Sequence, residues 1–480
     1  MNNSQLSQLT LVEAIKGIKK KYFNAKELAL GCIETINTTD KEIGAFLTIN
    51  KEIIEQAEKT DKNKSNKIIA GIPFAVKDVL STKNIETTAG SKILKGYRPP
   101  LNATIVQKLL NENGIILGKT NCDAFAFGAS GENSGFFPTR NPHNLNYVPG
   151  GSSSGSAAAV AANQTIFALG TDTGGSIRQP AAFCGVVGLK PTYGRCSRWG
   201  LISMASSFDC PGPITKTVED AAIVMNIIAG KDNCDATSIN KPVPNYLTNL
   251  KKGVKNLRVG IVKEFINSKI QPEILKAVEN AAKIFEKQGA KIETVSLPHN
   301  DYAISAYYVL VPAEISSNMA RYDGIRFGPS SSKGKTALEK IAFTRGKFLE
   351  PEVKRRIMIG SYTLSAGYFD AYYLKASKIR TLIMEDFAHC FSKVDVLLGP
   401  VTPTTAFKLG EKLTDPVQMY LSDIFTVSAN VAGIPAISIP FGKDKKNLPV
   451  GIQILGKHLD EATILQTAYL LEQFTKSQNV

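Results

Sequence analysis

Residues 170–180 read GTDTGGSIRQP, and the surrounding chain is organised around them. They follow the apolar run IFAL at 166–169, which predicts a buried strand. The two adjacent glycines permit a sharp backbone turn that presents bare N–H groups. Ser176 then stands where a helix could begin, with Pro180 tolerated only near that start. A serine at such a turn has the geometry of an acyl-transfer nucleophile beside an oxyanion hole.

A second serine-bearing segment, PGGSSSGS at 149–156, precedes the small apolar run AAAVAA at 157–162. Taken alone, a Gly/Ser run is typical of a flexible linker, and a Gly-Gly-Ser turn is a common loop. This run, however, leads directly into a helix-forming segment and then into a strand. The context favours a buried, close-packed loop that holds serines.

One lysine, Lys77, lies inside the apolar segment GIPFAVKDVL at 71–80. A lysine in such a run usually extends its amine to the surface. If the amine is buried instead, desolvation disfavours the ammonium form and lowers the pKa. A lysine with a lowered pKa can serve as a general base. The sequence leaves both interpretations open.

Together with AFCGVVGLKPT at 182–192, these segments resemble the amidase signature family. The resemblance implies a Ser–Ser–Lys triad whose middle serine lies in a cis peptide. It assigns Ser176 as the nucleophile, Ser152 as the bridging serine and Lys77 as the base, with Ser153 as a rival for the bridging role. The oxyanion hole would consist of the backbone N–H groups of Thr173, Gly174, Gly175 and Ser176.

A histidine-based triad is the alternative chemistry. The four histidines stand at positions 143, 299, 389 and 458. His143 lies nine positions before Ser152 in a Pro/Asn-rich stretch, which favours an ordinary loop residue. A G-x-S-x-G pattern at 151–155 centres on Ser153 and is interpreted as a coincidence of the serine-rich loop. The GKT at 118–120 lacks the upstream glycine of a phosphate-binding loop.

Composition restricts the compartment and the class of protein. Of the 480 residues, 43% are hydrophobic and 21% are charged, as in an ordinary globular protein. Seven scattered cysteines without C-x-x-C spacing indicate reduced thiols and argue against a zinc site. The sequence predicts neither a signal peptide nor a membrane span. We expect a cytoplasmic protein, with an organelle matrix as the alternative, and no metal in this chain.

The formal net charge of +15 would suit contact with nucleic acid or with an acidic partner. The basic runs are dispersed, however, and contain few aromatic residues on which bases could stack. Lysine and asparagine are abundant throughout, so a general compositional bias explains the charge equally well. The pattern favours weak steering of a polyanion over sequence-specific reading of nucleic acid.

The apolar periodicity changes along the chain. Residues 10–60 follow a helical period, and from Ile68 onwards strands and helices alternate. We expect an α/β fold in which one large mixed β-sheet is covered by helices on both faces. The chain is interpreted as a single domain over 1–480, made of an N-terminal helical segment (1–60), a signature core with the triad (61–230), and the remaining sheet, helices and substrate-pocket elements (231–480).

Within the family, the segments at 191–201, 321–328, 352–358 and 432–435 resemble the A subunits of glutamyl-tRNA(Gln) amidotransferases. The resemblance implies a glutaminase that sends ammonia through a channel to a partner subunit. That partner would convert Glu-tRNA(Gln) to Gln-tRNA(Gln). The implied partners are the B and C subunits, with Glu-tRNA(Gln) bound mainly by the partner. No cofactor is implied in this chain, whereas ATP and Mg are expected at the partner subunit.

Glutamine carries an α-carboxylate and an α-ammonium, so its pocket needs both charges. An arginine fork suits the carboxylate, and an aspartate suits the ammonium. The resemblance assigns these roles to Arg356 and Asp423, with Tyr307 lining the pocket. From the residues alone, Arg356 could lie on a solvated helix face and Asp423 could be an N-cap. A stand-alone amidase for another small amide and a non-enzymatic assembly subunit remain the alternative functions.

Overall fold

The computed structural model describes residues 3–63, 65–266 and 270–477. In this part of the chain an 11-stranded sheet has the strand order β1-β3-β2-β4-β6-β5-β10-β11-β9-β7-β8. The strands are β1 Phe46–Ile49, β2 Pro73–Lys77, β3 Ile115–Thr120, β4 Phe167–Asp172, β5 Val187–Lys190, β6 Cys210–Thr215, β7 Arg258–Val262, β8 Lys291–Val295, β9 Val396–Pro400, β10 Ala436–Lys443 and β11 Pro449–Gly456.

The sheet is mixed. Strand β2 pairs in parallel with β3 and β4, and β7 pairs in parallel with β8 and β9. Antiparallel pairs connect these two groups through β6, β5, β10 and β11. The expectation of one large mixed sheet is confirmed, and its strands come from all three segments of the chain.

The α-helices surround this sheet. They are α1 Asn3–Leu6, α2 Leu11–Lys19, α3 Ala25–Ile43, α4 Ile53–Asn63, α5 Thr104–Asn111, α6 Ser154–Ala161, α7 Arg178–Cys184, α8 Val218–Ile228, α9 Pro272–Lys287, α10 Ala303–Asn318, α11 Ala337–Phe348, α12 Pro351–Thr363, α13 Lys375–Lys393, α14 Pro416–Tyr420, α15 Val427–Ala432 and α16 Glu461–Ser477. A π-helical turn, Phe369–Leu374, leads into α13. No helix of the described residues is long and apolar enough to cross a membrane.

Helices cover both faces of the sheet. Every residue of β2, β3, β4, β6, β9 and β11 is buried. Since successive side chains of a strand point to opposite faces, complete burial requires cover on both sides.

The N-terminal segment is helical because its caps are encoded locally. Thr10 with Glu13, and Asn24 with Glu27, form capping boxes at the starts of α2 and α3. Gly44 ends α3 in the left-handed conformation with φ +67°. One part of the helical prediction for residues 1–60 is wrong: Phe46–Ile49 forms the edge strand β1, paired with β3. Four residues are too few to show a strand period against the surrounding helices.

Candidate active site

Lys77 is the last residue of β2, and its side chain is fully buried. Its Nζ lies 2.8 Å from Ser152 Oγ, 2.9 Å from Ser153 Oγ and 2.9 Å from Thr171 Oγ1. Burial lowers the pKa of the Lys77 amine to about 8, although buried acids nearby partly oppose the shift. The structure therefore places the amine inside the protein, and the alternative of a surface-seeking lysine is wrong.

The parallel pairing of β2 with β4 brings these groups together. Val76 is in register with Leu169, so Lys77 lies near the end of the neighbouring strand, which carries Thr171. The carboxyl ends of parallel strands meet at one edge of a sheet, and sites form there in many α/β proteins. The Gly/Ser loop and the Ser176 loop both reach this edge.

The Gly/Ser loop at 149–156 is buried throughout, so it is a packed loop rather than a linker. The Gly151–Ser152 peptide bond is cis. Gly151 donates its backbone N–H to Gln179 Oε1 at 2.8 Å, and a Cβ at this glycine would clash with the carboxylate of Asp123. Only glycine, which has no Cβ, fits this close contact, and this explains why position 151 is a glycine.

The two serines beside Lys77 differ in their hydrogen bonds. Ser153 Oγ donates to the carbonyl oxygen of Thr171 at 3.1 Å and accepts the backbone N–H of Thr171 at 3.2 Å. Ser152 Oγ, within the described ranges, has Lys77 Nζ as its hydrogen-bond partner and no other. The hydroxyl proton of Ser153 is thus donated to the carbonyl oxygen of Thr171, whereas the hydroxyl of Ser152 donates to no carbonyl among the described residues.

Ser176 lies in the turn between β4 and α7, directly beside the Gly/Ser loop. The backbone N–H of Ser153 donates to the carbonyl oxygen of Ser176 at 3.1 Å and joins the two loops. Ser176 is 7% exposed, so it is almost fully buried. Gly175 has φ +143°, and a Cβ at this position would clash with the hydroxyl of Thr426. This backbone conformation and the close approach both require glycine.

Four consecutive backbone N–H groups of this turn have no protein acceptor among the described residues. They are the N–H groups of Thr173, Gly174, Gly175 and Ser176. Buried N–H groups are nearly always paired, so a run of free donors beside a serine hydroxyl is suited to an anionic oxygen.

Asp172 and Arg178 fix the ends of the same turn. Asp172 Oδ2 accepts the backbone N–H groups of Ile177 and Arg178, at 3.2 and 3.3 Å. The guanidinium of Arg178 also pairs with this carboxylate, at 3.0 and 3.1 Å. Burial favours the protonated acid, but Arg178 outweighs it and lowers the pKa of Asp172 to about 2. The turn is therefore held by a buried ion pair between Asp172 and Arg178.

Tyr307, on α10, covers the other side of the turn. A Cβ at Gly174 would lie 2.7 Å from Tyr307 Oη, and the tyrosine is almost fully buried. Burial raises the pKa of its phenol well above the usual value. Tyr307 is thus a neutral group packed against the turn, and its role in lining a substrate pocket stays a prediction.

Arg356, on α12, is buried among aromatic rings and not on a solvated helix face. Its guanidinium carbon lies 5.3 Å from the ring centroids of Tyr308 and Tyr420. Its Nε donates to Glu352 Oε1 at 2.8 Å, one helical turn earlier. The two terminal nitrogens donate to no acceptor in the described ranges. The Nε hydrogen bond therefore holds the guanidinium in place, while its two terminal nitrogens have no protein acceptor among the described residues.

Asp423 is buried beside the same turn, in a short 3₁₀ segment, and its side chain caps no helix. Its Oδ1 would lie 3.1 Å from a Cβ at Gly175. This buried oxygen has no hydrogen-bond partner among the described residues. Burial, reinforced by Asp172, raises the pKa of Asp423 well above the usual value, while Arg356 opposes the shift. A cation bound here would stabilise the ionised form.

Several groups of the site were absent from the sequence prediction. Thr171 holds the Lys77 amine, and Asp209 accepts the hydroxyl of Thr173 at 2.8 Å. Glu352 and Tyr420 hold Arg356, with the Tyr420 hydroxyl donating to Glu352 at 2.8 Å. Of these groups, only Glu352 could have been recognised from the sequence, because it stands four residues before Arg356 and so one helical turn away from it.

The histidine alternative receives no support from the site. His143 Nε2 lies 2.9 Å from the carbonyl oxygen of Cys184, and no described contact joins it to the serines. The hydrogen-bond partners of Lys77 are hydroxyl groups and one carbonyl oxygen.

Comparison with known proteins identifies the family of this chain. The amidase family model matches residues 27–465. The chain is 52% identical over 469 residues to the A subunit of the glutamyl-tRNA(Gln) amidotransferase from Halothermothrix orenii, covering 98% of each chain. The crystal structure of the corresponding protein from Thermotoga maritima superposes with a TM-score of 0.83 at 42% identity, covering 98% of this chain and 95% of that one. The peptide amidase of Stenotrophomonas maltophilia superposes with a TM-score of 0.82 at 29% identity, covering 97% of each. The chain therefore belongs to the amidase family.

Proposed function

We propose that this chain is the glutaminase subunit of a glutamyl-tRNA(Gln) amidotransferase. The observation that carries the proposal is a buried lysine amine 2.8 Å from Ser152, beside a turn flanked by an unpaired Arg356 fork and an unpaired Asp423 carboxylate. The first feature supports amide cleavage, and the second supports an amino acid as the substrate.

The hydrogen bonds around Lys77 support Ser152 as the bridging residue. A neutral amine has two protons and one lone pair. Ser153 gives its own proton to the Thr171 carbonyl, so its oxygen accepts one proton of the amine. The Thr171 hydroxyl oxygen can accept the other. The lone pair then faces Ser152, which donates its proton to the amine.

The reaction follows from this arrangement. As Ser152 donates to neutral Lys77, the Ser152 oxygen accepts the proton of Ser176, and the Ser176 oxygen attacks the side-chain amide carbonyl of glutamine. The free N–H groups of 173–176 stabilise the negative charge on the carbonyl oxygen, at about 3 kcal/mol per donor in comparable sites. The proton returns through Ser152 to the leaving nitrogen, and ammonia departs. Water then hydrolyses the ester on Ser176 and releases glutamate.

The two charged side chains would select the ends of the substrate. Arg356 binds the α-carboxylate with its free fork, and Asp423 binds the α-ammonium. No ion pair joins Arg356 and Asp423 in the described ranges, so each is available to a zwitterion. Tyr307 closes the pocket over Gly174. A pocket for a simple uncharged amide would need neither the free guanidinium nitrogens of Arg356 nor the buried, unpartnered oxygen of Asp423.

The released ammonia would pass to the subunit that amidates Glu-tRNA(Gln). On this proposal the B and C subunits are the partners and the complex works in the cytoplasm. ATP and Mg would act at the partner subunit, and this chain would contribute the hydrolysis of glutamine alone. The curated relatives are named as A subunits of glutamyl-tRNA(Gln) amidotransferases, which supports the place of this chain in such a complex.

The test is ammonia release from glutamine by the chain assembled with its B and C subunits. Ser176→Ala should abolish release without loss of assembly, because it removes the attacking oxygen. Ser392→Ala, at an exposed position on α13, is the matched control and should match the wild type. Retained turnover in Ser176→Ala would exclude Ser176 as the nucleophile. Rapid hydrolysis of other small amides, with glutamine a poor substrate, would indicate a stand-alone amidase instead.

A further inference from the structure

A buried threonine at the start of α15 contacts the turn that carries Ser176. Thr426 is fully buried, and its hydroxyl donates to the carbonyl oxygen of Gly174 at 2.7 Å. The carbonyl oxygen of Asp423 is a second acceptor of the same hydroxyl, at 3.0 Å. One side chain therefore joins the turn to the segment that carries the carboxylate proposed to bind the α-ammonium.

The contact with Gly174 fixes the direction of one backbone N–H group. A peptide unit is planar, and in its trans form the C=O and N–H bonds point in opposite directions. The Gly174–Gly175 peptide is trans, since Gly151–Ser152 is the one cis peptide bond among the described residues. Its oxygen points at Thr426, so the N–H of Gly175 points away from Thr426.

Two neighbouring peptide units of the turn are held in the same way. Asn430 Nδ2, on α15, donates to the carbonyl oxygen of Asp172 at 3.3 Å, in the unit that carries the N–H of Thr173. The backbone N–H of Gln179 donates to the carbonyl oxygen of Gly175 at 2.8 Å and so orients the N–H of the next residue, the proposed nucleophile. The threonine contact is the shortest of the three, and its side chain, unlike that of Asn430, does not also hold the Asp172 carboxylate.

Thr426 is itself held in place. The guanidinium of Arg178 donates to its carbonyl oxygen at 2.9 Å, and its backbone N–H donates to the carbonyl oxygen of Asp423 at 3.0 Å. A Cβ at Gly175 would clash with its hydroxyl, so the two segments are in direct contact. A hydroxyl fixed in this way can keep a peptide dipole in one orientation while charge develops on a substrate.

We propose that Thr426 is a positioning residue of the oxyanion hole, whose hydroxyl holds the Gly174 carbonyl and so aims the N–H of Gly175 at the carbonyl oxygen of the reacting amide. This inference rests on the proposed function, because it assigns Thr426 to the step in which Ser176 attacks glutamine. The negative charge on the amide oxygen develops only during that attack. Loss of the hydroxyl should therefore affect kcat more than the binding of glutamine.

The experiment measures ammonia release by variants of the chain assembled with its B and C subunits. Thr426→Val keeps the shape of the side chain without the hydroxyl. It should lower kcat by about tenfold to 100-fold, because an N–H donor is misaligned rather than removed. KM for glutamine should stay within about threefold of the wild-type value. Thr426→Ser keeps the hydroxyl and should restore kcat to within about threefold of the wild type.

The matched control is Ser428→Ala, in the same helix. Ser428 is also fully buried, but its hydroxyl has no hydrogen-bond partner among the described residues. Its removal should leave both kcat and KM at the wild-type values. An equal loss of kcat in Ser428→Ala would assign the effect to the packing of α15 and overturn the positioning role of Thr426.

The folded fraction of each variant is measured by circular dichroism, and kcat is expressed per folded complex. Wild-type kcat in folded Thr426→Val would overturn the inference and leave the glutaminase proposal intact. A raised KM with unchanged kcat would also overturn it, because the hydroxyl would then act through Asp423 on substrate binding. If Thr426→Val does not fold, Thr426→Ala removes the same hydroxyl and is judged by the same two criteria. Failure of the wild-type complex to hydrolyse glutamine would instead refute the proposed function.

Discussion

Two buried lysines on neighbouring strands differ in what surrounds them. Lys77 on β2 and Lys119 on β3 are both fully buried, and burial lowers the pKa of each to about 8. Lys119 Nζ lies 3.7 Å from the carboxylate of Asp78 and donates to the carbonyl oxygen of Leu80 at 2.6 Å. It also donates to the hydroxyl oxygens of Thr87 and Thr82, at 2.8 and 3.0 Å. The closest partners of Lys77 are three hydroxyl oxygens, at 2.8 to 2.9 Å.

The difference shows that burial and a lowered pKa do not by themselves identify a general base. The hydroxyls of Thr82 and Thr87 give their own protons to backbone carbonyls, each at 3.1 Å, so they can only accept from Lys119. The Leu80 carbonyl and the Asp78 carboxylate likewise accept and donate none, so all these partners favour the ammonium form of Lys119. The hydroxyl of Ser152 can donate or accept, so Lys77 can lose its proton without losing a partner. We therefore interpret Lys119 as structural and Lys77 as catalytic.

The largest expected difference in kcat is between two single variants, in which one or the other of these lysines is replaced by methionine. Lys77→Met should lower kcat for ammonia release by about 10³-fold, since a general base contributes about 10²–10⁴. Lys119→Met should leave kcat per folded molecule unchanged and lower the free energy of unfolding by about 3–5 kcal/mol, because Asp78 loses its countercharge. Kinetics and urea unfolding of both variants would measure this. The interpretation is reversed if Lys119→Met is inactive when folded while Lys77→Met turns over.

A smaller contrast is expected between the two serines that contact Lys77. Ser152→Ala removes the proposed relay and should lower kcat by about 10²-fold or more. Ser153→Ala removes a hydrogen bond that positions the amine and should lower kcat by about tenfold or less. Steady-state kinetics of the two variants would distinguish the serine that relays the proton from the serine that only positions the amine. Equal losses in the two variants would leave Ser153 as an equal candidate for the bridge.

Arg356→Lys should raise KM for glutamine by about tenfold to 100-fold, with a lesser change in kcat. A lysine keeps the charge but cannot reproduce a bidentate fork, and it cannot pack against the stacked rings of Tyr308 and Tyr420 in the same way. The comparison is with Arg355→Lys, whose side chain is largely exposed on the same helix and should leave KM unchanged. An unaltered KM in Arg356→Lys would remove this residue from the pocket.

The pH dependence of kcat/KM should show the ionisation of Lys77. Only the neutral amine accepts a proton, and the pKa of Lys77 is about 8. Activity should therefore rise about tenfold per pH unit below pH 8 and level off above it. The free energy of unfolding should also rise with pH. The lysine of the unfolded chain has the higher pKa and binds the proton more tightly than Lys77 in the folded chain. The contribution of Lys77 to stability therefore increases between about pH 8 and 10.5. A flat rate profile from pH 6 to 9 would contradict a lysine base.

The sequence predicted the fold and the main residues of the site for different reasons. Strands such as β4 and β9 were evident because they are continuous apolar runs, whereas Phe46–Ile49 was hidden by its short length. The triad residues came from a resemblance, since no period or spacing reveals that Lys77 is buried. The partners of Lys77 and Arg356 could not be predicted, because the direction of a hydroxyl proton depends on neighbours distant in the chain.

The buried position of the Gly/Ser loop has a consequence for the energetics of turnover. Groups that already stand in the interior, each fixed by hydrogen bonds to a strand or a helix, have little solvent around them to rearrange when charge moves. Most of the free energy needed to orient these polar groups is therefore spent during folding, and little is needed when the substrate reacts. Ser153, Thr171 and Asp172 are therefore parts of a preorganised environment, even though none of them exchanges a bond with glutamine.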